Sequence, residues 1–300
     1  MESQATPLND RASLRVSDVL IEGARRLLAA GIESARLDAE VLLGHSLRKR
    51  REQLLADARL PVRKDEEQVF HCLLARRIKR EPVAYITGRQ EFWSKEFRVT
   101  PAVLIPRPET ECLVEIALKF ATDEREPLKI LDLGTGSGAI AVALAGELPR
   151  AEVFATDISP AALTMAQMNA AVNGVMASVH FLQGDLFGAL AETGGDFRLI
   201  LSNPPYIRSD DIAGLPPEVG WEPRYALDGG IDGLDYYRRL AAESFAYLSR
   251  DGAVIVEIGA DMGETVKALF CEAGAHVEIY SDYSGRDRVV VARPGAAARN

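Results

Sequence analysis

The chain has 300 residues, 47% of them apolar and 26% charged, which suits one large domain or two smaller ones, each with a core. Its formal net charge is −9, whereas a nucleic-acid binder usually shows a basic face, so the balance argues against DNA or RNA as the main partner. The three cysteines, Cys72, Cys112 and Cys271, form no CxxC pair, which argues against a disulfide framework and fits a reducing cytoplasm.

The opening "MESQATPLNDRA" is polar and holds no apolar segment, so no signal peptide is expected there. Helices follow. Ser17 can cap a helix that turns Val19, Leu20, Ala24, Leu27 and Leu28 to one face, with Gly31 ending it. Ser34 can cap a second, with Leu37, Val41 and Leu42 inward. A shorter amphipathic piece covers Glu52 to Ala58. Asp65 opens another helix with Val69, Phe70, Leu73, Leu74, Arg77 and Ile78 at three-four spacing. Residues 1–81 thus read as a small helical bundle. The basic run "RKRR" at 48–51 reads as a solvated helix end.

Residues 82–108 change pattern. "AYITGRQEFWSKEFRVTP" alternates and carries β-branched and aromatic side chains, which predicts a hairpin connector. From 109 to 300 strand and helix alternate. Strands are expected at 128–133, 152–156, 178–182, 198–202, 252–258, 275–281 and 287–292. Helices are expected at 109–121, 138–147, 160–172, 233–249 and 262–273. Near-continuously apolar strands alternating with helices predict an α/β fold with a doubly wound parallel sheet. Only the turn "SDYSGRD" joins the last two strands, so the last strand is expected to run antiparallel. The tail "PGAAARN" is expected to fray. The four histidines never take metal-ligand spacing, so no metal is expected, and no apolar run is long enough to span a membrane.

Three strand ends carry the chemistry. "KILDLGTGSGAIAVALA" runs a strand into Gly134, Thr135, Gly136, Ser137 and Gly138, with a helix at once behind. Glycines permit a sharp turn and close ligand approach, and free N–H groups at a helix start favour electron-rich groups. The spacing is GxGxG, not the GxGxxG of a pyrophosphate loop, and no Lys-Ser/Thr ending follows. The next strand ends in Asp157, which can accept from both ribose hydroxyls; the plainer role, capping the helix at Pro160, already falls to Ser159. In "LQGDLF", Asp185 can accept from an exocyclic amine and Leu186 can pack on an adenine face, although a plain strand-to-loop turn explains both. Nucleoside recognition without phosphate machinery points to S-adenosyl-L-methionine, whose methyl transfer asks chiefly for positioning.

The fourth strand ends in "NPPY". Asn203 offers one acceptor oxygen and two donors, and the prolines Pro204 and Pro205 fix φ and hold the neighbouring carbonyls rigid. A planar –NH₂ substrate could give its two protons to the Asn203 oxygen and the Pro204 carbonyl, while Tyr206 stacks on its plane. A strand stop built from turn formers explains any two of these residues but poorly explains all four.

Together GTGSG, Asp157 and NPPY resemble a class I (Rossmann-like) S-adenosylmethionine methyltransferase acting on planar nitrogen. With "LIPRPETE" (104–111) and "EPRYALDGGIDGLDYYR" (222–238), the chain from about 15 to 293 resembles the HemK/PrmC family. That resemblance implies methyl transfer from S-adenosyl-L-methionine to N5 of the glutamine in the GGQ motif of class 1 peptide chain release factors. It implies cofactor contacts at Gly134, Thr135, Gly136, Ser137, Gly138, Asp157, Leu186 and Asn203, and catalytic and substrate contacts at Asn203, Pro204, Pro205 and Tyr206. Leu186 stands where relatives often carry an aromatic residue, so adenine stacking there becomes apolar packing. The resemblance further implies that "PRPETE" borders the cofactor and that the N-terminal bundle holds the release factor. A cytoplasmic monomer without direct nucleic-acid or membrane contact is expected. The alternative is an adenine-N6 nucleic-acid methyltransferase, which uses a similar clamp but needs a basic cleft and a flipped base.

Overall fold

The computed structural model describes residues 14–121, 128–191 and 193–295; the polar opening segment and the end of the tail lie outside them. The chain divides into two compact units, with the boundary after Thr87.

The first unit is helical: α1 Val16–Ala29, α2 Ala35–Leu47, α3 Arg51–Ala56, α4 Lys64–Ile78 and α5 Val83–Thr87. Leu20 and Leu27 of α1, Leu42 and Leu43 of α2, Leu54 of α3, and Phe70 and Leu74 of α4 share one core. A Cβ at Gly23 would lie 2.6 Å from the Phe70 ring, so the glycine lets α1 and α4 approach closely. Three expectations change. Helix α1 starts one residue before Ser17, because Val16 is itself buried, and the Arg15 N–H bonds the Asp18 carboxylate. Leu28, Leu37, Val41 and Val69 are exposed rather than inward. In α2 the inward places go instead to Ala35, Asp38, Ala39, Glu40, Leu42 and Leu43. Hydrophobic periodicity puts charges outside by rule, and Asp38 and Glu40 break the rule because arginines meet them: Arg77 Nε lies 2.7 Å from Asp38, and Arg36 and Arg51 both reach Glu40.

The second unit opens on a hairpin, β1 Arg89–Phe92 and β2 Lys95–Arg98, shorter than the sequence suggests because "VAYIT" ahead of it is α5. Trp93 and Ser94 take φ of 52° and 54°, the left-handed pair a two-residue hairpin turn requires. The turn is held there: Trp93 N–H donates to Glu111 and its indole N–H to Glu147, both at 2.8 Å.

Then come α6 Glu111–Phe120, β3 Lys129–Leu133, α7 Ala139–Glu147, β4 Glu152–Asp157, α8 Pro160–Val172, β5 Val179–Gln183, β6 Phe197–Ser202, α9 Asp235–Glu243, β7 Leu248–Glu257, α10 Gly263–Glu272, β8 Ala275–Ser281 and β9 Asp287–Pro294. The strands order as β5-β4-β3-β6-β7-β9-β8. β5 through β7 are mutually parallel, and β9 runs antiparallel between β7 and β8, so the last strand is antiparallel as expected yet interior. Its Val289–Ala292 run is fully buried, which explains its unbroken apolar sequence. Neighbouring strand residues serve opposite faces: Ile130 packs with α6 and α7, Leu131 with α9 and α10. The helix expected over 233–249 ends at Glu243, passes through one tight turn, and yields to β7 from Leu248. Leu248 pairs with Phe197 ahead of a bulge, so an edge pairing wins over the helical pattern of "FAYL".

β3 has neighbours reached by opposite crossovers, β4 on one side and β6 on the other. The carboxyl ends of these three strands therefore diverge around a crevice, the usual ligand position in such sheets.

Candidate active site

Gly134, Gly136 and Gly138 take φ of 72°, 56° and 82°, values a side chain would strain. A Cβ on Gly138 would lie 3.0 Å from that of Ala166, so glycine there lets α7 start against α8. A Cβ on Gly134 would meet nothing; it would stand in the cleft that Gly134 lines. Thr135 and Ser137 turn inward instead. Thr135 N–H bonds the Thr156 carbonyl, its hydroxyl bonds Asp132 at 2.6 Å, and the Ser137 carbonyl accepts from the buried Asn169 amide. Of the five loop residues, Gly134 and Gly136 face the cleft.

Asp157 closes the loop from the next strand. Its two carboxylate oxygens accept from Gly136 N–H and Ser159 N–H, each at 2.9 Å. Ser159 also caps α8 by accepting from Ala162 N–H. Burial pushes the Asp157 carboxyl up, and the backbone donors oppose the rise by favouring the ionised form. Each oxygen keeps a second lone pair, and Asp157 lines the cleft.

The cleft holds about 740 Å³ of empty space, its mouth included, and apolar surface from Leu133, Ile158 and Leu186 faces it. Leu186 sits at φ 48°, a rare conformation for a branched side chain, and is buried. Asp185 also borders the cleft, where a bidentate ion pair with Arg239 of α9 occupies its carboxylate at 3.0 Å on both oxygens.

Asn203, Pro204 and Pro205 form the opposite wall, whereas Tyr206, expected to stack on the substrate plane, does not line the cleft. The Tyr206 ring packs with the core between the sheet and α9, and burial pushes its hydroxyl up to about 12. The glycine-rich segment after Asp228 grips this turn. A Cβ on Gly229 would lie 2.8 Å from the Pro205 carbonyl oxygen, and one on Gly233 2.5 Å from the Tyr206 carbonyl oxygen. Ile207 N–H bonds the Leu227 carbonyl and Gly229 N–H returns to the Ile207 carbonyl. The glycines of "DGGIDG" thus admit the NPPY backbone.

Several contributors escaped sequence reasoning. Glu222 is buried and accepts from Ile105 N–H at 3.0 Å while pairing with Arg107, so the segments "LIPRPETE" and "EPRYALDGG" form one wall. Tyr225 adds an O–H bond to the Ala102 carbonyl at 2.8 Å and lines the cleft. Thr110 accepts from Asn203 Nδ2 at 3.1 Å. Desolvation pushes Glu257 at the end of β7, and Asp132 in β3, up to about 7; one oxygen of each lacks a hydrogen-bond partner. The available signal was a carboxylate inside an apolar strand, "ILDLG" and "VIVEIG". Among the described residues no cluster of three or more His, Cys, Asp or Glu side chains could hold a metal ion.

Residues 18–88 match the family described as the PrmC N-terminal domain, and residues 112–214 match the methyltransferase small domain. A release factor glutamine methyltransferase of Moorella thermoacetica is 47% identical over 281 residues, 93% of this chain and 98% of that one. The one from Escherichia coli is 43% identical over 262 residues, 87% of this chain and 93% of that one. Among solved structures, the hMettl16 catalytic domain in complex with MAT2A 3'UTR hairpin 6 superposes with a TM-score of 0.56 over 72% of this chain and 81% of that one. At 14% identity it shares the fold alone.

Proposed function

The chain belongs to the release factor glutamine methyltransferases, and from that membership we propose that it transfers a methyl group from S-adenosyl-L-methionine to the side-chain amide nitrogen of the GGQ glutamine in class 1 peptide chain release factors. One observation carries the reading: the glycine loop with Asp157 and the Asn203–Pro204–Pro205 turn face each other across one cleft. Bare backbone at Gly134 and Gly136, two free lone pairs on Asp157 and an apolar wall at Ile158 and Leu186 suit a nucleoside with vicinal hydroxyls.

S-adenosyl-L-methionine, when bound, supplies a methyl group already activated by its sulfonium. The chain's own residues then position the acceptor. An amide nitrogen is a poor nucleophile because its lone pair is delocalised. Asn203 Oδ1 and the Pro204 carbonyl accept its two N–H groups, orient it, and offset the positive charge that grows on it. The grip of Gly229 and Gly233 on the Pro205 and Tyr206 backbone keeps those acceptors fixed. Tyr206 packs its ring against the core beside the turn.

We assign release factor docking to the helical unit. Ile21 and Leu28, one above the other on α1, are 61% and 65% exposed although apolar, which suits a protein partner. Ile21→Asp with Leu28→Asp is expected to raise KM for the release factor while leaving cofactor affinity unchanged.

The direct test incubates the protein with methyl-labelled S-adenosyl-L-methionine and a class 1 release factor, beside a release factor whose GGQ glutamine is replaced by asparagine. Label is expected on the first alone. Equal labelling of both, or of DNA in a parallel reaction, overturns the assignment.

A further inference from the structure

The NPPY turn gives the cleft no aromatic surface, because the Tyr206 ring packs into the core. A flat amide held only at its two N–H groups is still free to swing about them. Tyr225 and Tyr236, by contrast, do line the cleft. Tyr236 lies on α9 one helical turn before Arg239, and Arg239 grips Asp185, so Tyr236 stands at the Asp185–Leu186 end. Tyr225 belongs to the other end. Two residues beyond it the Leu227 carbonyl accepts from Ile207 N–H, and Asp228 forms a parallel bridge with Ile207, directly after NPPY.

Tyr225 is held in place from two sides. Its O–H donates to the Ala102 carbonyl at 2.8 Å. Glu222, three residues earlier, is buried, accepts from Ile105 N–H at 3.0 Å and pairs with Arg107. Ala102, Val103 and Leu104 line the cleft too, and Pro101, Pro106 and Pro108 stiffen the segment that carries them. Yet Tyr225 remains 46% exposed. The hydroxyl and the backbone are fixed, while ring area is left for a ligand to cover. An aromatic side chain anchored in this way offers a large contact surface at little entropic cost.

We propose that Tyr225 is the aromatic platform for the acceptor, its ring lying against the methylenes and the amide plane of the incoming glutamine while Asn203 and the Pro204 carbonyl take the N–H groups. This rests on the methyl-transfer reading of the site. A glutamine that follows two glycines suits such a platform. The glycines carry no side chains, so the loop backbone can come close to the mouth, and the glutamine side chain then reaches in along the ring. The platform takes the role that a stacked Tyr206 would have filled, and it comes from a segment outside NPPY.

The test compares wild type, Tyr225→Ala and Tyr225→Phe in the full chain, with methylation of a class 1 release factor and calorimetry of S-adenosyl-L-methionine as the two readouts. Tyr225→Ala is expected to lower kcat/KM for the release factor about tenfold, the worth of covering part of one aromatic ring. Its dissociation constant for S-adenosyl-L-methionine is expected to stay unchanged. Tyr225→Phe keeps the ring and deletes the bond to Ala102, so its kcat/KM is expected to stay near that of wild type. A wild-type kcat/KM in Tyr225→Ala overturns the proposal. So does a phenylalanine variant as slow as the alanine one, because the tie to Ala102 and not the ring would then be what matters. Cofactor affinity that falls in step with kcat/KM overturns it as well, by moving Tyr225 to the donor's end. A wild type that labels no release factor overturns the functional reading, and this inference falls with it.

Discussion

Two buried acids separate the two units of this chain. Asp38 in the helical unit and Glu257 in the sheet unit are 6% and 1% exposed. Asp38 meets a guanidinium, Arg77, that is buried with it. Glu257 has one oxygen with no hydrogen-bond partner, and burial pushes its carboxyl up to about 7. The first charge is neutralised on the spot and serves the packing of α2 on α4. The second is held in tension at the edge where the site lies. A buried acid with its counter-ion reports on architecture; one without it reports on chemistry.

That contrast is broken most forcefully at Asp38. Asp38→Ala removes the carboxylate that faces the buried Arg77 and is expected to cost about 3–5 kcal/mol of stability, read by denaturant unfolding, with kcat per folded molecule unchanged. Replacing both residues by apolar ones of similar volume is expected to be near neutral, because the desolvation penalty goes with the pair. A kcat that falls with Asp38→Ala under folding conditions would erase the distinction between the two acids.

Asn203→Ala is the mirror experiment in the second unit. Stability is expected to hold, since the side chain makes one hydrogen bond, to Thr110. Turnover is expected to fall about 100- to 1000-fold, the usual loss when an oriented polar partner of the transition state goes. Single-turnover methylation of a release factor measures it, and near-wild-type rates would remove Asn203 from the mechanism.

Asp157→Ala comes next. Its carboxylate serves the loop through Gly136 and Ser159, and its proposed second role is to take ribose hydroxyls. Cofactor affinity is expected to weaken by about 1.5–3 kcal/mol, the range for a hydrogen bond to a charged group. Calorimetry tests this, and an unchanged dissociation constant would confine Asp157 to loop architecture, as Asp38 is confined to the bundle.

The sequence made the local parts of the site legible and hid the distant ones. GTGSG, Asp157 and NPPY each sit within one strand-to-loop junction, so their chemistry shows in consecutive letters. Thr110 and Asn203 are 93 positions apart, and Glu222 and Ile105 are 117 apart. Only the strand order β3-β6-β7 brings such partners together, and no periodicity announces it. The inner strands were readable from their apolar runs, such as "AVIVE" in β7 and "VVVA" in β9. The inward face of α2 was not, because Asp38 and Glu40 occupy core positions that polarity reserves for solvent. Asp38 defeats pattern reading because its partner, Arg77, comes from 39 positions along the chain.

Tyr237 probes the frame around Glu257 with the smallest change. It is fully buried in α9, packs in the same cluster as Tyr206, and donates its hydroxyl proton to the Glu257 backbone carbonyl at 2.8 Å. Tyr237→Phe keeps the ring and deletes the bond, so stability is expected to fall by about 0.5–1.5 kcal/mol. The bond goes to the main chain and not to the carboxylate, so kcat per folded molecule is expected to hold. If kcat falls, the site is tuned through the position of the Glu257 backbone. If it holds, the tension at Glu257 resides in its buried side chain, which is where the comparison with Asp38 places it.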